Sequence, residues 1–204
     1  GRLVVAWLHA AARAGALDRL RRIWLRDRDP AAVRAARTAV TEALGALGRG
    51  GAVAVTAEAG DTFTEAAALR GRLDVVVTNP PWELLKPDAR DGLTGAAASE
   101  HRGRLRAYAA GLGRAFPGAV SARGKAMMGA AVNLARAGAL AAAAAARPGG
   151  VVALVLPAAI FSDQASAPFR AELFARLSVA ELDAYPAEAR LFAGVDQPFV
   201  TLTA

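Results

Sequence analysis

The sequence has no cysteine, and only two of its 204 residues are histidines. The first absence excludes disulfides and thiolate metal sites, and it suits a reducing cytoplasm. The second leaves little for an imidazole-based metal centre, because His9 and His101 have no partner at metal-ligand spacing and read as incidental. Long apolar runs are also missing. The alanine-rich stretch from Ala139 to Ala146 ends at Arg147, well short of the roughly 20 residues that span a bilayer. The start shows no basic, apolar and cleavable secretory pattern, so the expected location is cytoplasmic. Lysine is almost absent: Lys86 and Lys125 are its only instances, and arginine supplies the rest of the 25 cations, which outnumber 18 acidic residues and leave a formal charge of +7. Such a surplus suits polyanionic partners, whose counterions are released on binding. The same abundance of Ala, Gly and Arg also follows from a biased genomic base composition.

With 54% hydrophobic and 21% charged residues, the composition argues for a folded chain with one well-buried core. An apolar helical pattern runs from Leu3 to Leu20. Ile23 to Leu25 reads as a short strand, Asp29 as an N-cap and Pro30 as a first-turn residue of a helix that reaches about Leu47 and stops at glycines. Ala52 to Thr56 reads as a second strand, Gly60-Asp61-Thr62-Phe63 as a loop, and Leu73 to Thr78 as a third strand. This order predicts a parallel, right-handed α/β arrangement. From Glu83 to Gly124 the pattern fades around one helix near Leu105 to Leu112, and an insert of that length is either functional or disordered. A helix from Lys125 to Ala146 follows, closed by the stop signal Arg147-Pro148-Gly149-Gly150. Val151 to Leu156 then reads as a strand, Gln164 to Leu177 as a helix, and Val179 to Tyr185 with Phe199 to Thr203 as a terminal pair of strands. There is no internal repeat.

The stretch Asp74-Val75-Val76-Val77-Thr78-Asn79-Pro80-Pro81-Trp82 sets a strand signal directly against two prolines and a tryptophan. A β-branched run without alternation suits a strand covered on both faces. The prolines donate no backbone hydrogen bond and fix φ near about −65°, which makes the turn stiff. Ligands of open α/β sheets bind outside the carboxyl ends of the strands, where this turn presents an amide, carbonyls and an indole. Its plain structural alternative is a rigid turn whose tryptophan plugs the core. Asp27, at the tip of the first strand, is placed either to accept from ribose hydroxyls or, with Asp29, to cap a helix. Asp61 is placed either to accept from an exocyclic amine or to turn a loop. Arg90, Arg102, Arg104, Arg106, Arg114 and Arg123 in the insert either contact phosphates or line a solvated loop. Met127 and Met128 read as core residues. Gly149-Gly150 ends a helix and does not start one, so a phosphate loop is rejected there.

The order of these features resembles the class I S-adenosyl-L-methionine-dependent methyltransferases, and specifically the DNA adenine-N6 methyltransferases. Asn79-Pro80-Pro81-Trp82 fits that family's hallmark of Asn or Asp, two prolines and an aromatic. DRDPAAVRAA resembles the segment whose first acidic residue, here Asp27, holds the cofactor ribose. GDTF resembles the segment whose Asp, here Asp61, contacts the cofactor adenine, with Thr62 and Phe63 beside it. RPGGVVALVLPAAIFSD and LFAGVDQPFVTLTA resemble the family's later strands, and WELLKPD with the long insert resembles large restriction-modification and phage-defence methylases.

The resemblance implies a Rossmann-like α/β sheet, mostly parallel with a terminal antiparallel strand. It implies S-adenosyl-L-methionine as cofactor, DNA as partner and no metal. Gly1 matches the last glycine of the family's glycine-rich cofactor motif, and Asn79 also borders the cofactor. The rest of that motif, the first strand and a target-recognition domain are expected elsewhere in the same or a partner chain. Residues 1–204 therefore read as a partial, N-terminally truncated catalytic domain with an insert at about 83–124. In the implied chemistry, the Asn79 side-chain oxygen and the Pro80 carbonyl each accept one N6 hydrogen, and Trp82 stacks on a base flipped from the duplex. Cytosine N4, an RNA guanine amine and a protein glutamine present the same planar NH2. These substrates, and a non-catalytic remnant, remain as alternatives.

Overall fold

The computed structural model describes residues 1–85, 94–120, 132–191 and 196–204. The chain divides into two compact units, Gly1–Glu65 and Ala66–Ala204.

In the first unit, helix α1 (Arg2–Arg13) is followed by strand β1 (Arg22–Asp27), helix α2 (Pro30–Ala46), strand β2 (Ala54–Ala59) and the opening of helix α3 (Thr62–Leu69). β1 and β2 pair in parallel, with Arg22 opposite Ala54 and Asp27 opposite Ala59. Parallel neighbours need a crossover, and α2 supplies it. Its start follows the sequence signal: the Asp29 carboxylate accepts from the Ala31 amide at 2.8 Å, and Pro30 stands where a missing N–H costs nothing. Ile23 and Leu25 alternate inward from β1 and share a core with Leu8, Val40, Leu44 and Val53.

Two expectations change here. α1 ends at Arg13 because Gly15 takes φ +66 and the Ala16 amide bonds back to the Ala11 carbonyl at 2.9 Å, the closure typical of a helix ending on a left-handed residue. Thr62 and Phe63, expected in a loop, open α3. The Asp61 carboxylate caps that helix by accepting from the Phe63 amide at 2.9 Å.

The second unit holds β3 (Leu73–Thr78), α4 (Gly95–Ala115), α5 (Leu134–Ala145), β4 (Ala146–Pro157), the short α6 (Ala159–Ser162), α7 (Ala167–Arg176), β5 (Glu181–Tyr185) and β6 (Phe199–Thr203). Its sheet has the order β3-β4-β6-β5. β3 runs parallel to β4, while β6 enters between β4 and β5 and runs antiparallel to both. The α/β class and the closing antiparallel strand are as the sequence implies. Leu140, Val152, Leu154, Leu156, Phe169, Leu173 and Leu202 are almost fully enclosed and form the centre. Alanine dominates α5, which lets nearly its whole surface pack inward.

The stop signal Arg147-Pro148-Gly149-Gly150 lies inside β4, which begins directly after α5. It forms a bulge, since Leu73 pairs with Ala146 while Val75 pairs with Val151. Gly149 takes φ +73, and a Cβ on Gly150 would lie 3.0 Å from the Asp74 carbonyl oxygen. Glycine is what lets the two strands approach. Among the described residues β3 is not fully covered on both faces either: Val75 lies exposed beside Val151.

α4 is much longer than the helix expected near Leu105 to Leu112. The helix expected from Lys125 is described from Leu134, where the Asn133 side chain accepts from the Arg136 amide at 3.1 Å. Lys86, Arg90, Arg123, Lys125, Met127 and Met128 lie outside the described residues. The helix expected from Gln164 starts as a 3₁₀ turn over Gln164–Ser166 and becomes α7 at Ala167. No helix among the described residues is long and apolar enough to cross a membrane.

Candidate active site

In the first unit, the two carboxylates singled out by sequence stand at the carboxyl ends of adjacent parallel strands. Asp27 closes β1, and its backbone carbonyl accepts from the Gly60 amide at 2.9 Å, just ahead of Asp61. Each side chain commits one oxygen to its own backbone: Asp27 Oδ1 accepts from the Asp29 amide at 3.0 Å, and Asp61 Oδ1 from the Phe63 amide at 2.9 Å. The second oxygen of each has no intramolecular partner among the described residues. Capping and ligand binding are therefore compatible. An anchored carboxylate with an open acceptor suits a ribose or an adenine amine, so these residues fit the nucleoside end of S-adenosyl-L-methionine. Thr62 is exposed and Phe63 half-buried beside them. Gly1 lies against α2, where a Cβ would come within 2.9 Å of Ala36 Cα.

An ion cluster that the sequence reading missed ties these strand ends together. Arg26 reaches Glu58 at 3.4 Å and also pairs with Glu65 on α3, while the Trp24 indole donates to Glu58 at 3.3 Å. Arg26 and Glu58 are register partners, so placing the two strands side by side would have revealed the opposite charges. Gly60 makes room, because a Cβ there would stand 3.0 Å from Arg26 Nε.

The turn Asn79-Pro80-Pro81-Trp82 lies in the second unit, at the carboxyl end of β3. The ladder holds its entry, with Thr78 opposite Leu154 of β4. Its exit is held by the Leu85 amide donating to the Val132 carbonyl at 2.8 Å and the Leu134 amide donating to the Glu83 carbonyl at 2.9 Å. Between these anchors Pro80 is buried, whereas Asn79 and Pro81 are exposed. Neither the Asn79 side chain nor the Pro80 carbonyl has an intramolecular hydrogen-bond partner among the described residues. Two acceptors thus sit on neighbouring residues of a turn whose prolines forbid rearrangement.

Trp82 is half-buried. Its indole N–H donates to the Val155 carbonyl at 3.4 Å, and its ring lies 6.1 Å from Phe199, tilted by 34°. Phe199 in turn stacks on Tyr185 at 4.7 Å. The indole is therefore both part of the packing and anchored at the strand ends. Neither Phe199 nor Tyr185 was singled out by sequence.

The segment after β4 is fixed by a buried cation. Arg136 of α5 is 5% exposed. It lies 3.8 Å from the Asp163 carboxylate and donates to the Ala165 carbonyl at 3.3 Å. Burial pushes its pKa down, Asp163 raises it and Arg170 lowers it. Asp163 also accepts from the Ser166 amide at 2.6 Å, and Arg170 donates to the Asp163 and Ile160 carbonyls at 2.7 and 3.0 Å. Among the described residues no group of three His, Cys, Asp or Glu side chains could hold a metal ion.

No protein-family model matches this chain, and no curated protein does. Among solved structures it is similar to a mutant 16S rRNA (adenine(1408)-N(1))-methyltransferase with cosubstrate SAM from Catenulisporales acidiphilia, at 20% identity and a TM-score of 0.37, covering 89% of this chain and 73% of that one. It is also similar to another crystal structure of that methyltransferase from the same organism, at 18% identity and a TM-score of 0.35, covering 96% of this chain and 90% of that one.

Proposed function

We propose that this chain is the catalytic portion of a cytoplasmic S-adenosyl-L-methionine-dependent methyltransferase that modifies the N6 amine of adenine in DNA. The observation that carries the reading is the fixed turn after β3, where the exposed Asn79 side chain and the neighbouring Pro80 carbonyl are two unengaged acceptors.

Asp27 would hold the ribose and Asp61 the adenine of the cofactor through their open oxygens. The bound cofactor supplies a sulfonium methyl whose C–S electron pair returns to sulfur as the new N–C bond forms. Asn79 and Pro80 act on the amine. Its lone pair is delocalised into the purine ring, and two acceptors that each take one hydrogen draw the nitrogen toward a tetrahedral geometry and orient the lone pair. Neither acceptor titrates, and the excess proton leaves to solvent. Trp82 offers a π-face to a base taken out of the stack, a contact worth roughly 1–3 kcal/mol.

Transfer of labelled methyl from S-adenosyl-L-methionine to duplex DNA tests this. Asn79→Ala should lower kcat by about 10²–10³, the usual loss for one preorganised polar contact to a reacting group. Asn79→Asp, which keeps an acceptor, should retain more activity. Equal activity in wild type and Asn79→Ala would contradict the assignment.

A further inference from the structure

α4 is held by one face only: Ala109 and Leu112 are buried, as is Phe116 just beyond its end. An arc of about 120° that flanks this stripe carries Arg102, Arg106 and Arg114, all exposed. Helical rise places the first two roughly 6 Å apart along the axis and the third roughly 12 Å further on. None of the three makes an ion pair or side-chain hydrogen bond among the described residues. Arg104 differs, since it lies outside this arc and pairs with Glu100 at 3.0 Å. Between the three arginines the surface is small, and a Cβ on Gly103 would meet nothing within 4 Å. No carboxylate occurs between Glu100 and the end of α4.

Like charges one turn apart, as Arg102 and Arg106 are, weaken a helix, and all three are part of a chain whose net charge is +7. The arrangement calls for counter-charge from outside. A nucleic-acid strand supplies it at regular spacing, and guanidinium forks match phosphate oxygens better than any other side chain.

We propose that Arg102, Arg106 and Arg114 form a track for the sugar-phosphate backbone of the DNA substrate, contributing affinity without sequence preference. The proposal rests on the reading of the protein as a DNA methyltransferase and adds the surface that holds the duplex. α4 belongs to the same unit as the Asn79 turn.

Anisotropy of labelled duplexes of unrelated sequence, titrated without cofactor across a salt series, tests the track. The intact chain is compared with the triple variant Arg102→Gln/Arg106→Gln/Arg114→Gln and with Arg104→Gln, and circular dichroism confirms that both remain helical. The triple variant should weaken binding equally for every sequence and flatten the slope of log K against log salt by about 2.7, at about 0.9 per phosphate. The affinity gained on moving from about 200 to about 50 mM salt then shrinks by roughly 40-fold. Arg104→Gln should keep the original slope. An unchanged slope in the triple variant, an equal fall with Arg104→Gln, a loss confined to one sequence, or no binding of duplex DNA at low salt would each overturn the track. Binding with the expected slopes but no methyl transfer would overturn the reaction alone.

Discussion

Asp27 and Asp61 show how one side chain can fix the backbone and still keep an acceptor open. Each Asp carboxylate at the β1 and β2 ends uses one oxygen to fix the backbone and keeps the other open. Asp27→Ala therefore removes both an Asx turn and the proposed ribose acceptor. Calorimetry with S-adenosyl-L-methionine should show affinity falling roughly 10- to 100-fold, as expected for losing charge-assisted hydrogen bonds. Unchanged affinity would leave Asp27 with its Asx turn to the Asp29 amide alone. Trp82→Ala removes the stacking face, and KM for DNA should rise more than kcat falls, within the roughly 1–3 kcal/mol of one stacked base. Trp82→Phe should recover much of that loss. These positions were legible in sequence because prolines and capping residues act locally. Phe199 and Tyr185, which brace the indole side of the site, were not. Their closeness depends on the register of β5 against β6, which neither strand encodes alone.

At the scale of elements, the segment after β4 depends on an incompletely compensated buried charge. Asp163 is the carboxylate nearest Arg136, and it also caps the Gln164–Ser166 turn. Asp163→Ser keeps a capping oxygen and removes the charge, so it isolates the electrostatic part. Denaturant titration should show a loss of about 1–2 kcal/mol, between the values for exposed and for fully buried pairs, because Asp163 is 40% exposed and stands 3.8 Å from Arg136. Replacing both, Arg136→Met with Asp163→Ser, should restore most of that stability. A loss below about 0.5 kcal/mol for Asp163→Ser would place the energetics in the neighbouring arginine–carbonyl bonds instead. The strands were easier to read than the joints between elements. β3 was found at its observed limits because a β-branched run met Pro80 and Pro81. The Arg147 to Gly150 segment was misread because glycine and proline that stop a helix also permit a bulge, and only the β3–β4 register distinguishes them. α4 was underread because Gly103, Gly111 and Gly113 interrupt its pattern.

At the scale of the whole molecule, the sequence supported an α/β chain with a basic surplus and one rigid turn at a strand's carboxyl end. How the strands pair was legible only in part: the parallel β1–β2 and β3–β4 pairs follow from the alternation of strand and helix, whereas the entry of β6 between β4 and β5 has no local signal. The charge was informative only after the fold had sorted it. Arg26, Arg104 and Arg147 have carboxylate partners, while Arg102, Arg106 and Arg114 share an open face of α4. The central claim is that Asn79 directs a methyl group onto adenine N6 in DNA. The most direct measurement expresses this protein in a host that lacks DNA methylation, and digests the host DNA for modified nucleosides by mass spectrometry. The expected product is N6-methyladenine that disappears in Asn79→Ala; N4-methylcytosine, or DNA left unmodified by a well-expressed wild-type protein, would rule out this role for Asn79.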